Sequence, residues 1–511
     1  MLLKKNIVFN VSLVISLLFI AFGIFSPERL GNIAAMLLEG IAEYMGWYYL
    51  AAVFFFLVVC IYAAFSKYGS IRLGKETDRP KYSTASWIAM LYSAGIAISI
   101  LFWGVAEPVY TYTSPPFGQG GTAEAAETAM KYAFFHWGFH LWGTYAAVGL
   151  ILAYFQYRKN RPALLSSTLY PLIGERVNGP IGKTIDIMTI LASVFGVTTS
   201  LGLGTMQITG GLHSLWGIPN TVPVQIGIVV TLTVLFLISA LSGLDRGIKY
   251  LSNINIILAL TIMTMLFVLG PTAEILRTFV GTTGRYLDDF LYLSFRLESF
   301  RDNSWISGWT IFYWGWLIAW APFVGLFIAR ISQGRTIKEF IIGALIVPSV
   351  GSLFWFSVFG GSALHLIHNL GETALANAVT SNIEAALFAY YQYFPLSSVI
   401  SVMTVVLLFT FFITSADSAT FVLGMFSEQG NLNPSNKTKL IWGIIMATVA
   451  IVLLVSGGLK PLQSVSVTVA LPFSVVIVLM CFSFFKELRQ EVVQAKVKTD
   501  AEFKIPQSKS I

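Results

Sequence analysis

Residues 312–340 read FYWGWLIAWAPFVGLFIARISQGRTIKEF, an apolar run that carries Trp314, Trp316 and Trp320 and then passes Pro322 and Gly325 to Arg330. At 100° per residue, Trp316 and Trp320 share one face of a helix and Trp314 points largely away. Two indoles on one stripe can wall a pocket for a cation that offers no hydrogen-bond donor, because the ring quadrupole attracts charge without needing an N–H. The same rings also suit plain packing in a large membrane protein. The rest of the chain decides between the two.

The 511 residues are 56% hydrophobic and 11% charged, against about 25% charged in an ordinary soluble domain, and the mean hydropathy is +0.74. This composition is that of a polytopic membrane protein. The net charge of +7 implies no nucleic-acid partner, because the basic residues sort to one side of a bilayer. Cys60 and Cys481 both lie in apolar segments, so neither a disulfide framework nor a metal-ligand spacing is present. Lys4 and Lys5 precede a long apolar run without a small-residue cleavage site, which reads as an uncleaved first span.

Runs long enough to cross about 30 Å of hydrocarbon number twelve, near 7–25, 46–65, 85–106, 131–157, 185–212, 222–242, 250–270, 305–331, 339–364, 395–427, 439–457 and 464–485. With the N-terminus inside, the cytoplasmic loops hold Lys67, Arg72, Lys75, Arg79, Arg158, Lys159, Arg161, Arg246, Lys249, Arg330, Arg335 and Lys338, and the opposite loops are poor in Lys and Arg. The exception, 271–304, balances its arginines with acids and reads as an amphipathic surface helix bearing Ile275, Phe279, Leu287, Phe290, Leu291 and Phe295. The bias predicts cytoplasmic termini and an even number of spans. Residues 486–511 read as a solvated, disordered cytoplasmic tail.

Four stretches break the apolar pattern. In the third span, Ser93, Ala94, Gly95, Ala97 and Ser99 permit close packing or a weakened helix. The fourth span, FFHWGFHLWGTYAAVGL, sets Trp137, Trp142 and Tyr145 at offsets of five and eight, which spreads them over about 140°, enough for one concave face. Its His136 and His140 lack an HExxH glutamate and a third ligand, and read as polar contacts between helices. Thr414, Ser415, Asp417 and Ser418 concentrate oxygen atoms in the tenth span. An ionisable residue there is functional by default, although Asp417 also has a structural reading as an ion-pair partner of Arg330. Ser193, Thr198, Thr199 and Ser200 form a second oxygen set on the fifth span, open either to Na⁺ or to bonding of their own i−4 carbonyls.

FFHWGFHLWGTYA, SVFGVTTSLGLGTMQITGGL, the tryptophan stretch through ARISQGRTIKEF, and FFITSADSATFVLGM together resemble the signature segments of the betaine/choline/carnitine transporter family over essentially the whole membrane region. The resemblance implies an all-α integral membrane protein with twelve transmembrane helices, in which two extra helices precede two inverted five-helix repeats of the LeuT type. It divides the chain into 1–84 (N-terminal tail and extra helices), 85–270 (first repeat), 271–304 (surface helix on the periplasmic or extracellular side), 305–485 (second repeat) and 486–511 (tail). By the same resemblance, a quaternary ammonium solute binds at Trp137, Trp142 and Tyr145, with Trp316 and Trp320 along its path, and Leu317 stands where an aromatic ring is usual. Ala97 stands where the family commonly has glycine and borders the approach of the substrate tail. A first Na⁺ would take Ser93, Ile96 and Phe411 by carbonyl and Thr414 and Ser415 by side chain. A second would take Ser193 and Phe323, next to Val197, which lacks the usual hydroxyl. Asn255 stands where sodium-independent exchangers carry an Arg, so no fixed cation replaces Na⁺ there.

These residues lead to the expectation of a non-enzymatic secondary transporter in a bacterial-type cell membrane, assembled as a homotrimer. It imports glycine betaine or a related compatible solute with Na⁺ as coupling ion and no other cofactor, by alternating access. The competing reading is a proton-coupled or uncoupled choline or carnitine carrier of the same fold. A channel or membrane enzyme is disfavoured, because the chain has no selectivity-filter repeat, no nucleophile–base set and no cofactor motif.

Overall fold

In hydrocarbon every backbone N–H and C=O must be paired within the protein, so apolar runs of this length have the helix as their available form. The computed structural model describes residues 6–242, 245–298, 300 and 302–503; the side chains of 93–97, 242–249 and 495–503 lie outside that description. Among the described residues it is all-helical, apart from one isolated bridge between Arg72 and Thr336. Among the described residues eleven helices are long and apolar enough to cross a membrane, and the remaining expected span is the 30-residue helix Thr84–Thr113.

In chain order the helices are α1 (Ile7–Phe25), α2 (Pro27–Phe65), α3 (Thr84–Thr113), α4 (Ala123–Trp137), α5 (Phe139–Ala153), α6 (Pro180–Trp216), α7 (Val222–Ser242), α8 (Asp245–Leu269) and α9 (Thr272–Asp288). They continue as α10 (Phe312–Ile331), α11 (Ile337–Asn369, with three π turns), α12 (Ser397–Ser427), α13 (Asn436–Val455) and α14 (Leu459–Phe503).

Three boundaries differ from the sequence expectation. Residues 26–45, expected as an outer loop, are helical: Pro27 fits the first turn, where its missing N–H is harmless, and Glu28 faces the positive end of the helix dipole. The fourth span, expected as one helix, breaks at Gly138 (φ −91°, ψ −134°) into α4 and α5. The segment expected as a disordered tail from 486 continues α14 as helix. There Leu488 is buried, and Glu487 and Glu491, one turn apart, pair with Lys159 at 3.0 and 2.9 Å. The surface segment divides its apolar residues: Ile275 and Tyr286 of α9 pack inward, whereas Leu287, Leu291 and Phe295 lie on the outside.

Charged loops gather on one end of the bundle. Arg158 reaches Glu76 at 2.6 Å and Glu491 at 2.7 Å and donates to the Gly74 carbonyl at 2.9 Å. The 71–73 strand-like segment pairs with 334–337 through Leu73 N–H to Arg335 C=O (2.8 Å) and Ile337 N–H to Ile71 C=O (2.9 Å). Asn6 donates to the Ser427 carbonyl, so the N-terminal end reaches the same face.

At the centre, α10 packs against α5, α6 and α14, and every residue from Phe312 to Leu326 is buried. A helix apolar on all sides belongs in the interior, and small residues let its neighbours close in. A Cβ at Gly196 of α6 would stand 2.8 Å from the Ala319 carbonyl carbon, and one at Gly315 would stand 2.7 Å from the Val467 Cα. Both crossings are backbone against backbone, which cannot give way as a side chain can. Gly196→Ala is therefore expected to destabilise the bundle by about 1–3 kcal/mol, read as a lower thermal midpoint in detergent. Gly40→Ala, with no atom within 4 Å of its Cβ, should cause no loss; equal midpoints for both variants would refute the packing account.

Candidate functional site

The glycine crossings bring one stripe of α10 against the broken α4–α5 helix. Tyr313, Trp316, Leu317 and Trp320, at i, i+3, i+4 and i+7, face Trp137, Leu141 and Tyr145, and Ser99 of α3 closes the side. Together they surround a small cavity of about 10 Å³, roughly the room that one water molecule takes. Trp314 turns the other way, onto Phe135 (5.1 Å between ring centres) and His140 (5.6 Å, stacked).

Three of the walls, Trp137, Tyr313 and Trp320, are held by their edges. The Trp137 indole N–H and the Tyr313 hydroxyl both donate to Glu107 Oε2, each at 2.7 Å. The Trp320 indole N–H donates to the Gly196 carbonyl at 2.7 Å, so the close α6–α10 crossing also sets the tilt of that ring. Trp316 stacks on Phe312 at 5.5 Å with an interplanar angle of 10° and meets Trp137 edge-on at 6.5 Å. Its indole nitrogen has no acceptor among the described residues.

Trp142, expected in the same box, is not a wall. It lies behind Tyr145 (6.1 Å, edge-on), stacks on Tyr92 (6.0 Å) and donates to Ser352 Oγ at 3.2 Å. At 100° per residue Leu141 and Tyr145 fall within about 80° of Trp137 whereas Trp142 lies about 140° away, so the face that meets the cavity leaves Trp142 out. Leu317 lines the cavity, as does Ser99. The side chains of Ser93, Ile96 and Ala97 lie outside the described residues.

Glu107 is the residue that the sequence reading passed over. It is fully buried on α3, and besides the two ring donors it pairs with His136 Nδ1 at 2.6 Å. His136 Nε2 reaches Thr310 Oγ at 3.0 Å, and Thr310 sits in the π turn Ser307–Ile311 that leads into α10. The available signal was the rule applied to Asp417: an acid inside a span demands a reason. His140 bonds Ser294 Oγ at 2.8 Å.

The two oxygen sets lie on different helices. Thr414 Oγ donates toward the Thr410 and Phe411 carbonyls (3.0 and 3.2 Å) and accepts from Asn255 Nδ2 (3.2 Å). The Asn255 carbonyl oxygen is buried and has no donor among the described residues. Phe411 is buried and Ser415 half-buried on the same helix, α12. Asp417 accepts from Ser239 Oγ at 2.6 Å, and the Arg330 guanidinium lies over the Phe421 ring at 4.7 Å. On α6, Thr199 bonds its own i−4 carbonyl at 2.9 Å and also Leu462 C=O and Ser466. The hydroxyls of Ser193, Thr198 and Ser200 are buried without partners among the described residues. Ser193, Val197 and Phe323 are all buried, on the two helices that cross at Gly196 and Ala319.

A family model described as "BCCT, betaine/carnitine/choline family transporter" matches residues 7–493. The chain belongs to that family of transporters. Among its relatives, the glycine betaine transporter OpuD of Bacillus subtilis is 47% identical, covering 95% of this chain and 94% of its own length. The ectoine/hydroxyectoine transporter of Virgibacillus pantothenticus is 44% identical over 95% of this chain and 96% of its own. The high-affinity choline transport protein of Escherichia coli is 39% identical over 94% of this chain and 71% of its own. Membership in this family makes the chain a multi-pass membrane transporter.

If the faces of these rings hold the ligand, Trp316→Leu should weaken apparent affinity by about 3- to 30-fold, the effect of losing one cation–π wall of ~0.5–2 kcal/mol. Trp142→Phe keeps the packing behind Tyr145 and is expected to change affinity by less than about threefold. Competition against labelled substrate in proteoliposomes measures both, and the reverse ranking would move the box to Trp142.

Proposed function

We propose that this transporter imports a quaternary ammonium compatible solute, glycine betaine or a related zwitterion, in symport with Na⁺ by alternating access. The observation that carries the reading is the cavity walled by Trp137, Tyr145, Tyr313, Trp316 and Trp320. Stacked and edge-on indoles offer a trimethylammonium group favourable electrostatics and a dry surface without any hydrogen bond. The unpartnered Trp316 indole N–H is a donor available to the carboxylate end of a zwitterion. The relatives that transport glycine betaine and choline support the same class.

Na⁺ coupling rests on oxygen atoms that lack protein partners. Buried Ser193 Oγ and Asn255 Oδ1 cost free energy if left unmet, and a small hard cation satisfies them. In this reading the first ion sits near Thr414, Ser415 and the Phe411 carbonyl, with Ser93 and Ile96 opposite. The second lies near Ser193 and Phe323. Binding of Na⁺ favours one orientation of the two helix repeats, the solute occupies the aromatic cavity, and rocking of the repeats releases both on the other side. A proton-coupled choline carrier is the second reading, favoured by the buried Glu107–His136 pair.

Both termini are placed in the cytoplasm on the side where Arg72, Arg158, Lys159 and Arg335 gather, and the assembly is a homotrimer. Cys60 and Cys481 are buried, so Ser508→Cys gives a single reactive thiol. Labelling of intact cells by an impermeant maleimide would place the tail outside, and a native mass in detergent other than three copies would refute the trimer.

The deciding experiment is uptake into proteoliposomes of glycine betaine, choline, carnitine and ectoine, with an inward Na⁺ gradient or with K⁺ in its place. Glycine betaine uptake should fall at least about tenfold without Na⁺, and Ser193→Ala should raise the Na⁺ concentration for half-maximal uptake by about 3- to 30-fold, the effect of one lost charged contact. Undiminished uptake in K⁺ would remove Na⁺ coupling, and no saturable uptake of any ammonium solute would remove the substrate class.

A further inference from the structure

We infer that Glu107 is a positioning and charge-selecting residue that stands behind the aromatic cavity, aims two of its walls, and makes it prefer a cationic head group to a neutral one of the same shape. The inference rests on the quaternary ammonium reading of that cavity.

Glu107 does not line the empty space, yet two residues that do, Trp137 from α4 and Tyr313 from α10, donate to the same oxygen, Oε2, at 2.7 Å each. Two rings from two different helices are thereby tied by their polar edges to one point. Trp137 and Tyr313 meet at 5.5 Å and 73°, so the carboxylate fixes an angle between walls as well as the position of each.

Both carboxyl oxygens are engaged. Oε1 meets His136 Nδ1 at 2.6 Å, and His136 Nε2 meets Thr310 Oγ at 3.0 Å, so the carboxyl has three partners, two rings on Oε2 and the imidazole on Oε1. Among the described residues, no lysine or arginine pairs with it, and His136 is its one basic neighbour. A negative charge on this carboxyl, which is the content of the inference, would stand one ring behind the cavity in a medium of low polarity, where its field is weakly screened. Hydrogen-bond donation to an anion also polarises the indole and the phenol, which enriches the ring faces and strengthens their attraction for a cation.

The role is separable from plain packing by pairing each ligand with its carbon isostere. Glycine betaine is paired with 3,3-dimethylbutanoate and choline with 3,3-dimethylbutan-1-ol, in which a quaternary carbon replaces the nitrogen. Affinities are read by titration of purified protein in detergent, on the pair whose ammonium member the wild-type protein binds. Glu107→Gln should weaken the ammonium ligand at least tenfold and leave the isostere within threefold, so that the ratio between them collapses. Tyr313→Phe, which removes one donor and keeps the charge, should weaken both members alike and preserve the ratio. Glu107→Asp keeps the charge and should also preserve it, which maintains the test if the Gln variant does not yield folded protein. An equal loss of both ligands in Glu107→Gln, or a collapsed ratio in Glu107→Asp, overturns the inference. A wild-type protein that binds neither ammonium ligand overturns the reading of the cavity itself.

Discussion

Helix α10 has no face left for lipid or water, and the architecture around it follows from that constraint. A helix buried on every side must be met by neighbours on every side, and two of them approach to backbone contact, at Gly196 with Ala319 and at Gly315 with Val467. Between membrane helices the hydrophobic effect supplies little drive, so close packing over small residues and buried hydrogen bonds carry the association. The bond from Trp320 to the Gly196 carbonyl does both at once: it ties α10 to α6 and orients a wall of the cavity. Packing and ligand geometry at this crossing are one arrangement.

A carboxylate in the same interior sets the second condition. A buried carboxyl is tolerated only where partners replace its hydration, and Glu107 has a histidine, an indole and a phenol around it. Those donors come from α4 and α10, with Thr310 of the adjoining π turn behind the histidine. Helices that would otherwise be joined by apolar contact are keyed to each other in register and rotation. At the charged end of the bundle a looser version of the same logic holds. Arg158 and Lys159 bind Glu76, Glu487 and Glu491, joining the loop before α3, the end of α5 and the last helix, where water screens each pair and leaves it individually weak.

Much of this was legible in the chain. The spans follow from uninterrupted apolar length, and the common face of Trp316 and Trp320 from a spacing of four. Local signals also misled. A span of about 140° from Trp137 to Trp142 is too wide for the one face that the cavity uses, and Trp142 packs instead toward Tyr92 and Ser352. The tail from 486 looks solvated by composition, but Leu488 and Glu491 find partners that are hundreds of residues away in the chain. Tyr313 was one aromatic among many in its stretch, and Glu107 sat unnoticed in LFWGVAEP.

The sequence by itself determined that this is a helical membrane transporter of the betaine/carnitine/choline family, because hydropathy, charge sidedness and signature segments are properties of residues in order along the chain. Only the tertiary structure decided which rings face one another, that Leu317 and Tyr313 share the cavity, and that one buried carboxylate holds two of its walls. Those facts depend on where residues 107, 136, 137, 310 and 313 meet in space. A local pattern of apolar and polar residues selects helices without fixing their rotation about one another; close backbone crossings and a buried charge in need of donors fix it.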